Sequence, residues 1–392
     1  MNILIAGKRV ESIRNLQQEL TSLGHTAVVT GAGPEVLDQL KDNPGIQLVI
    51  LECDADLSTN LELSRRIKSS DWKRYVYVIL ILEGRPGEDA PRLTDNGIDD
   101  CLIRPYGGRE LNGRLLTGMR IIRLNEKLRD AREISQVDLR SGREAQESML
   151  PVHFPDIPQL EIAARFIPSA YVSGDLYDIF RLDESNLGLY SVDVSGHGVA
   201  AALFSVGLSQ RFTIQLQPGA LLKVPIDHPP YYRINPPDVV LDILDQDDML
   251  GKYGRFFTMV YAVVHLDSGT VSFCRAGHNL PLVIHDDGTA AYIDGGGPPL
   301  GMGIATDARE RQEVELRPGE TFILFSDGIN ETFSRSGKNG YGLNRVKCIL
   351  SENHEKSLED SFDALIADAK AYQGRAEFAD DISIIGFRWR KD

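Results

Sequence analysis

Acidic residues stand at four places where an apolar, strand-like run ends in a turn. They are Asp175 in VSGDLYDIF, Asp193 in VDVSGHG, Asp327 in LFSDGINE, and Asp380 with Asp381 in FADDISIIG. An ionised carboxylate among apolar residues is costly unless it is hydrogen-bonded, paired with a cation or bound to a metal. Each Asp taken alone is typical of a simple turn. Four in one segment favour convergence at one sheet edge, where hard oxygen ligands suit Mg²⁺ or Mn²⁺.

The segment that carries these aspartates, residues 151–392, alternates strand-like runs with turns. The runs span 160–167, 186–194, 256–267, 270–276, 280–286, 320–327 and 381–389, and helical patterns span 198–216, 237–248, 343–352 and 357–371. Blocks of strands and blocks of helices, without strict alternation, are typical of an α+β sandwich. We therefore predict an α+β sandwich over residues 151–392, with the aspartates at the ends of its strands.

The composition is that of an ordinary globular protein, and it argues against some functions. The 392 residues include 42 Lys and Arg against 57 Asp and Glu, a formal net charge of -15. So acidic a chain is not expected to bind nucleic acid, because that binding depends on clustered basic residues. No run approaches about 18 apolar residues, and the N-terminus lacks the pattern of a secretory signal. We therefore expect a cytoplasmic protein without a membrane segment.

The first 122 residues follow a different pattern. Short apolar runs at 2–6, 26–29, 47–52, 75–82 and 101–103 alternate with amphipathic helical segments. Runs without polar alternation indicate strands buried on both faces, as in a parallel sheet covered by helices. Residues 1–122 are therefore predicted to form a five-stranded, doubly wound α/β domain of the flavodoxin-like type.

A helical connector is predicted over residues 109–150, overlapping the end of the first domain. This segment has no proline and is rich in Arg, Leu, Glu and Lys, which favours one long helix. An apolar seam with near-heptad spacing runs through it, with a phase shift before its last two members: Leu111, Leu115, Ile121, Leu124, Leu128, Ala131, Ile134 and Val137. The seam predicts a parallel coiled coil that forms a homodimer. The alternative is a helix folded back on its own domain.

The N-terminal sequence LVILECDADLSTNLELSRRIK, followed by NGIDDCLIRPYGGREL, resembles the receiver domain of two-component response regulators. By this resemblance Gly7 and Lys8 occupy the places of the acidic pair, and Glu52 occupies the place of the phosphorylated Asp. Leu82 replaces the hydroxyl residue that ends the fourth strand, and Arg104 replaces the Lys before proline. Without the acidic pair and the Asp, neither magnesium binding nor phosphorylation is expected.

The resemblance therefore implies a pseudo-receiver that has kept the fold and lost the chemistry. We expect Lys8 and Arg104 to flank Glu52 in an ion cluster that fixes one conformation of the domain. The alternative is a domain kept only for docking, whose site residues changed without consequence.

The C-terminal segment resembles the metal-dependent (PPM, type 2C) protein serine/threonine phosphatases, in particular their SpoIIE-like bacterial branch. The resemblance runs from about Gln146 to the C-terminus. Besides the aspartates, it rests on ESMLP at 147–151, FFTMVYAVV at 256–264, RAGHNLPLVI at 275–284 and GGGPPLGMG at 295–303. One departure is Val172-Ser173-Gly174, where the branch usually has a Gly-Gly pair before the first Asp.

The resemblance implies a centre that holds two divalent ions, Mn²⁺ or Mg²⁺, and that activates a shared water to attack a phosphoserine or phosphothreonine ester. The implied ligands are Asp327 and Asp380 on the first ion, Asp193 as the bridge, and Asp175 with the backbone carbonyl of Val194 on the second. Asp178 and Asp381 are the alternatives to Asp175 and Asp380.

Two histidines are candidate proton donors to the leaving serine oxygen, His197 and His278. In the alternative, His197 hydrogen-bonds within its turn and positions the metal loop, while His278 is a turn histidine satisfied by the backbone.

Together the two resemblances imply an active phosphatase, regulated through the receiver-like domain and the connector. Its implied substrate is a phosphorylated anti-sigma-factor antagonist of the STAS type. The alternative is a non-catalytic response-regulator adaptor that docks a sigma factor or an anti-sigma component. A decayed catalytic domain would have lost several ligands, whereas Asp175, Asp193, Asp327 and Asp380 are all present, which favours the enzyme.

Overall fold

The computed structural model describes residues 1–390 except 54–56, 84–92, 94, 152, 170, 197, 217–219, 248–253, 305–308, 338 and 376. The chain divides into two compact units, Met1–Gln136 and Val137–Asp392. Across these described ranges, no helix combines the length and the apolar character that crossing a bilayer requires.

The N-terminal unit contains a five-stranded parallel sheet in the order β2-β1-β3-β4-β5. Its strands are β1 (Asn2–Ala6), β2 (Thr26–Thr30), β3 (Ile46–Glu52), β4 (Tyr77–Glu83) and β5 (Asp100–Arg104), and its shorter helices are α1 (Val10–Ser22), α2 (Glu35–Asp42) and α3 (Leu57–Ser69). Alternate residues of each strand pack with α1 on one face and with α2 and α3 on the other. Burial on both faces explains why the strands are apolar without alternation.

The helix that follows, α4 (Gly108–Glu147), contains 40 residues and is continuous from the first unit into the second. Its first turns belong to the N-terminal core, where Leu111 and Leu115 are fully buried. Later members of the predicted seam are exposed, with Leu124 at 56%, Leu128 at 70% and Ile134 at 65%. The start of the seam is therefore folded back on its own unit, as in the alternative considered for the connector, and only its later part is free to meet a partner.

The C-terminal unit contains two five-stranded antiparallel sheets, ordered β15-β12-β11-β8-β7 and β14-β13-β16-β17-β6, and a two-stranded hairpin, β9-β10. The strands are β6 (Leu160–Ile167), β7 (Leu176–Arg181), β8 (Asn186–Val194), β9 (Lys223–Pro225), β10 (Tyr232–Ile234), β11 (Phe257–His265), β12 (Thr270–Ala276), β13 (Leu282–Ile284), β14 (Ala290–Tyr292), β15 (Gln312–Glu315), β16 (Thr321–Phe325) and β17 (Ile382–Trp389). The helices are α5 (Val199–Ser209), α6 (Pro237–Asp245), α7 (Asp327–Asn330), α8 (Leu343–Glu352) and α9 (Leu358–Gln373).

The two sheets share one core, in which inward side chains of β12 and β16 meet. The rings of Phe273 and Phe322 lie 5.7 Å apart, centroid to centroid, and both side chains are buried. A separate apolar cluster joins the second sheet to α8 and α9, while α6 packs against β11 and β12 of the first sheet. The result is the layered α+β sandwich that the sequence predicts.

Two predicted elements are shorter than the apolar pattern suggests. The helix expected over 198–216 ends at Ser209, because Phe212 turns into the core, where its ring lies 4.3 Å from that of Tyr190. The strand expected over 280–286 is confined to Leu282–Ile284, since His285 already belongs to a turn in which its amide donates to Thr289.

Candidate functional site

The strand ends of the sandwich carry the predicted aspartates to one place. Asp175 precedes β7 and Asp193 is the penultimate residue of β8, and the register Leu176↔Val192 puts them at the same end of the first sheet. Asp327 follows β16 and Asp380 precedes β17, at the end where Phe325 pairs with Ile384. The two sheets thus present their acidic ends to each other.

Neighbouring acids dominate the electrostatics of the cluster. Burial first, and then the charges of Asp327 and Asp380, raises the pKa of Asp193 to about 7. Burial and the charges of Glu331 and Asp380 raise the pKa of Asp327 to about 6. Burial and the Asp193 charge raise the pKa of Asp175 well above its ordinary value. Each of these three side chains therefore favours its protonated, neutral form more than an ordinary Asp does. A bound cation would lower their pKa values again.

The neighbouring acids Asp380 and Asp381 have different environments. Asp381 is buried, and its oxygens accept hydrogen bonds from the Ser169 amide and hydroxyl and from the Gly174 amide, at 2.7, 2.9 and 3.0 Å. Asp380 is exposed and, among the described residues, accepts a hydrogen bond from the Asp381 amide, at 2.8 Å. The oxygens of Asp381 are thus occupied by hydrogen bonds from Ser169 and Gly174, whereas Asp380 retains oxygen lone pairs that could bind a cation.

Asp175 and Asp178 are likewise distinguished. Asp175 is 2% exposed and lies within the field of Asp193 and Asp381. Asp178 is half-buried on β7, where burial alone raises its pKa to about 6 and no other acid contributes. The structure therefore includes Asp175 in the cluster and leaves Asp178 outside it.

The donor set fits a hard divalent cation. The Oδ2 atom of Asp175 is buried and has no hydrogen-bond partner among the described residues, and the surrounding donors are carboxylate oxygens, which Mg²⁺ and Mn²⁺ prefer. As the described side chains are placed, however, no three Asp, Glu, His or Cys groups form a coordinating set. Carboxylate oxygens that share a cation stand about 3 Å apart. Without the cation, two ionised carboxylates repel each other at that distance. The fit rests on the donor chemistry and on the orphaned oxygen of Asp175.

The backbone carbonyl of Val194 lies against Gly174. A Cβ atom added to Gly174 would stand 2.9 Å from that oxygen, closer than real Cβ contacts allow. Glycine at this position, retained although Ser173 departs from the family pattern, therefore lets the Asp175 loop approach the end of β8.

The two histidine predictions have different outcomes. His197 lies outside the described residues. His278 is 4% exposed and bonded to the Ser191 and Thr258 hydroxyls, at 3.1 and 2.7 Å. Burial, with a smaller effect from Arg275, lowers the pKa of His278 to about 3. An imidazole that stays neutral is a poor proton donor, and its partners are side chains rather than the backbone groups expected.

Sequence patterns missed the residues that support the cluster. The hydroxyls of Ser326 and Ser383 oppose the rise in the pKa of Asp175, Ser169 and Gly174 hold Asp381, and Glu331 adds charge. Ser326 and Ser383 stand one residue before Asp327 and two after Asp381, so a search for hydroxyls flanking the acids would have found them. Nothing in the spacing marks Ser169.

The N-terminal unit contains a smaller charged site around Glu52, at the end of β3. Arg104 and the Ser12 hydroxyl both donate to Glu52 Oε1, and Arg104 also donates to the Ser12 hydroxyl. The Glu52 side chain is 4% exposed and fills the space beside Gly7, where an added Cβ atom would stand 2.8 Å from Oε2. Leu82, which the resemblance puts in the place of a hydroxyl residue, is buried in the apolar core.

One part of the predicted ion cluster is wrong. Lys8 is exposed and forms no ion pair with Glu52, whereas Arg104 pairs with it as expected. The physical reason is geometric, since Glu52 points beneath Gly7 into a closed space in which a hydrated lysine ammonium would have to be desolvated. Ser12, from α1, takes the place expected for Lys8.

Comparisons with known proteins agree with the C-terminal architecture. A sequence profile for the family described as stage II sporulation protein E (SpoIIE) matches residues 183–390, more than half of the chain. Protein IcfG of Synechocystis sp. is 27% identical over 244 residues, 58% of this chain and 37% of that protein. The phosphoserine phosphatase RsbU of Bacillus subtilis is 24% identical over 214 residues, 54% of this chain and 59% of RsbU. The chain thus spans less than two thirds of either relative.

Among solved structures, the SiaA-PP2C domain of Pseudomonas aeruginosa is similar to 66% of this chain and 98% of its own, with a TM-score of 0.54 and 22% sequence identity. At that identity the likeness shows the fold, which is that of the PP2C phosphatases.

We predict that Gly7→Ala destabilises the N-terminal unit by about 1–3 kcal/mol, because the new Cβ atom overpacks against Glu52. Glu52→Ala in the same chain should relieve much of the added cost. The matched control is Gly107→Ala, where nothing lies within 4 Å of an added Cβ atom. Urea unfolding, with hydrogen exchange of β1 and β3 peptides, measures the effect. Equal costs for the two glycine variants would refute the steric argument.

A second prediction concerns acid stability. The pKa of His278 is about 3 when folded, against an ordinary value of 6.5. Below pH 6.5 the unfolded chain therefore binds a proton that the folded chain excludes, and stability falls by up to about 1.4 kcal/mol per pH unit. We expect the stability advantage of the parent over His278→Gln to shrink as pH drops from 7 to 5 in urea titrations. A constant difference would show that His278 titrates normally.

Proposed function

This chain belongs to the stage II sporulation protein E (SpoIIE) family, and we propose that it is a metal-dependent protein serine/threonine phosphatase. Its reaction would be hydrolysis of phosphoserine or phosphothreonine on a partner protein. The observation that carries the proposal is the cluster of Asp175, Asp193, Asp327 and Asp380 at the facing ends of two sheets, in which burial and the charges of neighbouring acids raise the pKa of Asp175, Asp193 and Asp327.

In the proposed site, Asp193 would bridge two divalent ions. Asp327 and Asp380 would hold the first ion, and Asp175 with the Val194 carbonyl would hold the second. When bound, such a pair of ions activates water and neutralises charge on the transferring phosphoryl group. Asp381 supports the site by holding the Ser169 and Gly174 amides. It is proposed as a positioning residue, in preference to its alternative role as a ligand.

For the substrate, we propose a phosphorylated anti-sigma-factor antagonist of the STAS type. The support is the similarity to RsbU, which is itself described as a phosphoserine phosphatase. The competing function, a non-catalytic adaptor that docks a sigma factor or an anti-sigma component, predicts a protein without metal-dependent turnover.

We further propose that the N-terminal unit is a pseudo-receiver that regulates the phosphatase through α4. Its support is the strand order β2-β1-β3-β4-β5 and the burial of Glu52 with Arg104 and Ser12 in the place of a phosphorylation site. If the Glu52 cluster holds the unit in one conformation, α4 would be the element through which the N-terminal unit regulates the phosphatase. The exposed part of its seam supports a parallel homodimer.

The phosphatase proposal is tested with the purified full chain and p-nitrophenyl phosphate. We expect Mn²⁺-dependent hydrolysis that falls at least about 100-fold in Asp327→Asn, since loss of even an outer partner of a metal site costs roughly 10- to 100-fold. Asp178→Asn is the matched control, because Asp178 is half-buried in the same unit but outside the cluster. A folded parent without metal-dependent turnover would favour the adaptor.

The dimer proposal is tested by charging the exposed seam. Leu128→Glu combined with Ile134→Glu should convert a dimer into a monomer, because two buried carboxylates per chain would oppose an apolar seam. Arg132→Glu, at an exposed position between them, is the control and should leave the dimer intact. Sedimentation velocity gives the mass. A monomeric parent would end the proposal.

A further inference from the structure

Arg255 lies at the acidic end of the first sheet, against the turn that follows β8. Val194 pairs with Phe257, so the chain before β11 runs beside the chain after β8. The Nη1 atom of Arg255 donates a hydrogen bond to the Ser195 carbonyl, and an added Cβ atom on Gly196 would stand 2.9 Å from the same Nη1 atom. The guanidinium group therefore contacts the two residues that follow the proposed carbonyl ligand, Val194.

The backbone that carries Arg255 is fixed from two directions. The Ser195 amide donates to the Phe256 carbonyl at 3.0 Å, and the Phe256 amide donates to the Ser195 hydroxyl at 3.2 Å. On the other side, a Cβ atom added to Gly301 would stand 2.9 Å from the Arg255 carbonyl. Because its backbone and one of its nitrogens are already held, the guanidinium loses little further freedom when it binds a ligand.

The charge of Arg255 is not neutralised within the part of the chain that the structure describes. There, no carboxylate oxygen lies within 4 Å of its guanidinium, whereas Arg211 pairs with Asp247 and Arg309 with Asp245, at 2.9 and 2.7 Å. The side chain is half-exposed. A guanidinium presents a planar fork of N–H donors, and the hydrogen bond to the turn occupies Nη1. Arg255 thus offers a positive charge and further donors to a ligand from solvent.

The chemistry of a guanidinium restricts what that ligand can be. It has no lone pair with which to coordinate a cation, so Arg255 cannot be a further metal ligand. A phosphate monoester carries close to two negative charges, and its oxygens match the guanidinium fork in bidentate geometry. In the proposed reaction, the phosphoester approaches the end of the first sheet that carries Asp193 and Val194, where Arg255 lies.

We infer that Arg255 binds the phosphoryl group of the substrate. Its Nη1 atom stays on the Ser195 carbonyl, while the remaining donors bind non-bridging oxygens of the phosphoserine or phosphothreonine. The inference rests on the proposed function and deepens it, because it names the side chain that recognises the charge of the substrate. Arg255 would orient the ester and offset its charge, and it would transfer no proton, since an arginine stays protonated.

The alternative is that Arg255 only fixes the turn after β8. Its loss would then move the Val194 carbonyl, which immediately precedes Ser195, and would weaken Mn²⁺ binding at the proposed site. A residue that binds the phosphoryl group instead changes the affinity for phosphate and for substrate while Mn²⁺ affinity stays constant. Measuring both affinities in the same variant therefore separates the two roles.

The test uses the full chain and the variant Arg255→Met, which keeps an unbranched side chain and removes the charge and the donors. Arg181→Met is the matched control, because Arg181 also bonds to a backbone carbonyl but lies at the opposite end of β7 from the acids. At saturating Mn²⁺, we expect the inhibition constant of inorganic phosphate to rise about 10- to 100-fold in Arg255→Met, through loss of charge-assisted hydrogen bonds. The KM for p-nitrophenyl phosphate should rise with it, and the Mn²⁺ dissociation constant should stay parental.

Arg255→Lys keeps the charge without the bidentate fork. It should recover part of the phosphate affinity, and it preserves the test if Arg255→Met does not fold. Folded Arg255 variants with parental phosphate inhibition at saturating Mn²⁺ would overturn the inference while leaving the phosphatase proposal intact, and a weakened Mn²⁺ affinity in them would assign Arg255 to the turn alone. A parent chain that neither binds Mn²⁺ nor hydrolyses the ester would overturn both.

Discussion

Repulsion among carboxylates is the constraint on which the C-terminal unit depends. Asp175, Asp193 and Asp327 have raised pKa values because they are buried and because each lies in the field of other acids. A fold gains no stability from such a cluster in the absence of a counter-charge. The sandwich must therefore supply the energy that keeps the acids together, and it does so with a continuous core between two five-stranded sheets. The cation that relieves the repulsion would then also stabilise the folded unit, because binding and folding are linked.

Around this cluster, three of the supports act on backbone rather than on a carboxylate alone. Asp381 accepts the Gly174 amide, Gln146 pairs with both polar groups of Ser173, and Gly174 has no room for a side chain against Val194. Backbone is the right target, because one proposed ligand is itself a carbonyl and cannot be adjusted by a rotamer change. The segment just before Asp175 is thus held by contacts from three different parts of the chain.

Much of this arrangement was predictable from the sequence, and the exceptions have physical causes. The apolar runs predict the sheets because burial on one or both faces leaves a direct pattern, and the acids at their ends predict the cluster. The resemblance implied Asp380 as the ligand and Asp381 as its alternative, but the residues alone do not separate the two. Their different environments depend on hydrogen bonds from Ser169 and Gly174, more than 200 positions away in the chain. Gln146 was invisible for the same reason, as a glutamine on a polar helix has no periodicity that reveals its burial. Lys8 was expected beside Glu52 because the resemblance puts it in the place of the acidic pair, but a position in the sequence does not determine which way its side chain points.

The contact between Gly7 and Glu52 has a consequence for how the N-terminal unit tolerates substitution. An acidic side chain at position 7 would collide with the Glu52 side chain, and the shorter Asp at position 52 would withdraw from Ser12 and Arg104 and leave that arginine without its carboxylate. A change at either position alone therefore costs stability. The two positions are coupled, and substitutions that the unit tolerates at one of them can be expected to be accompanied by a change at the other.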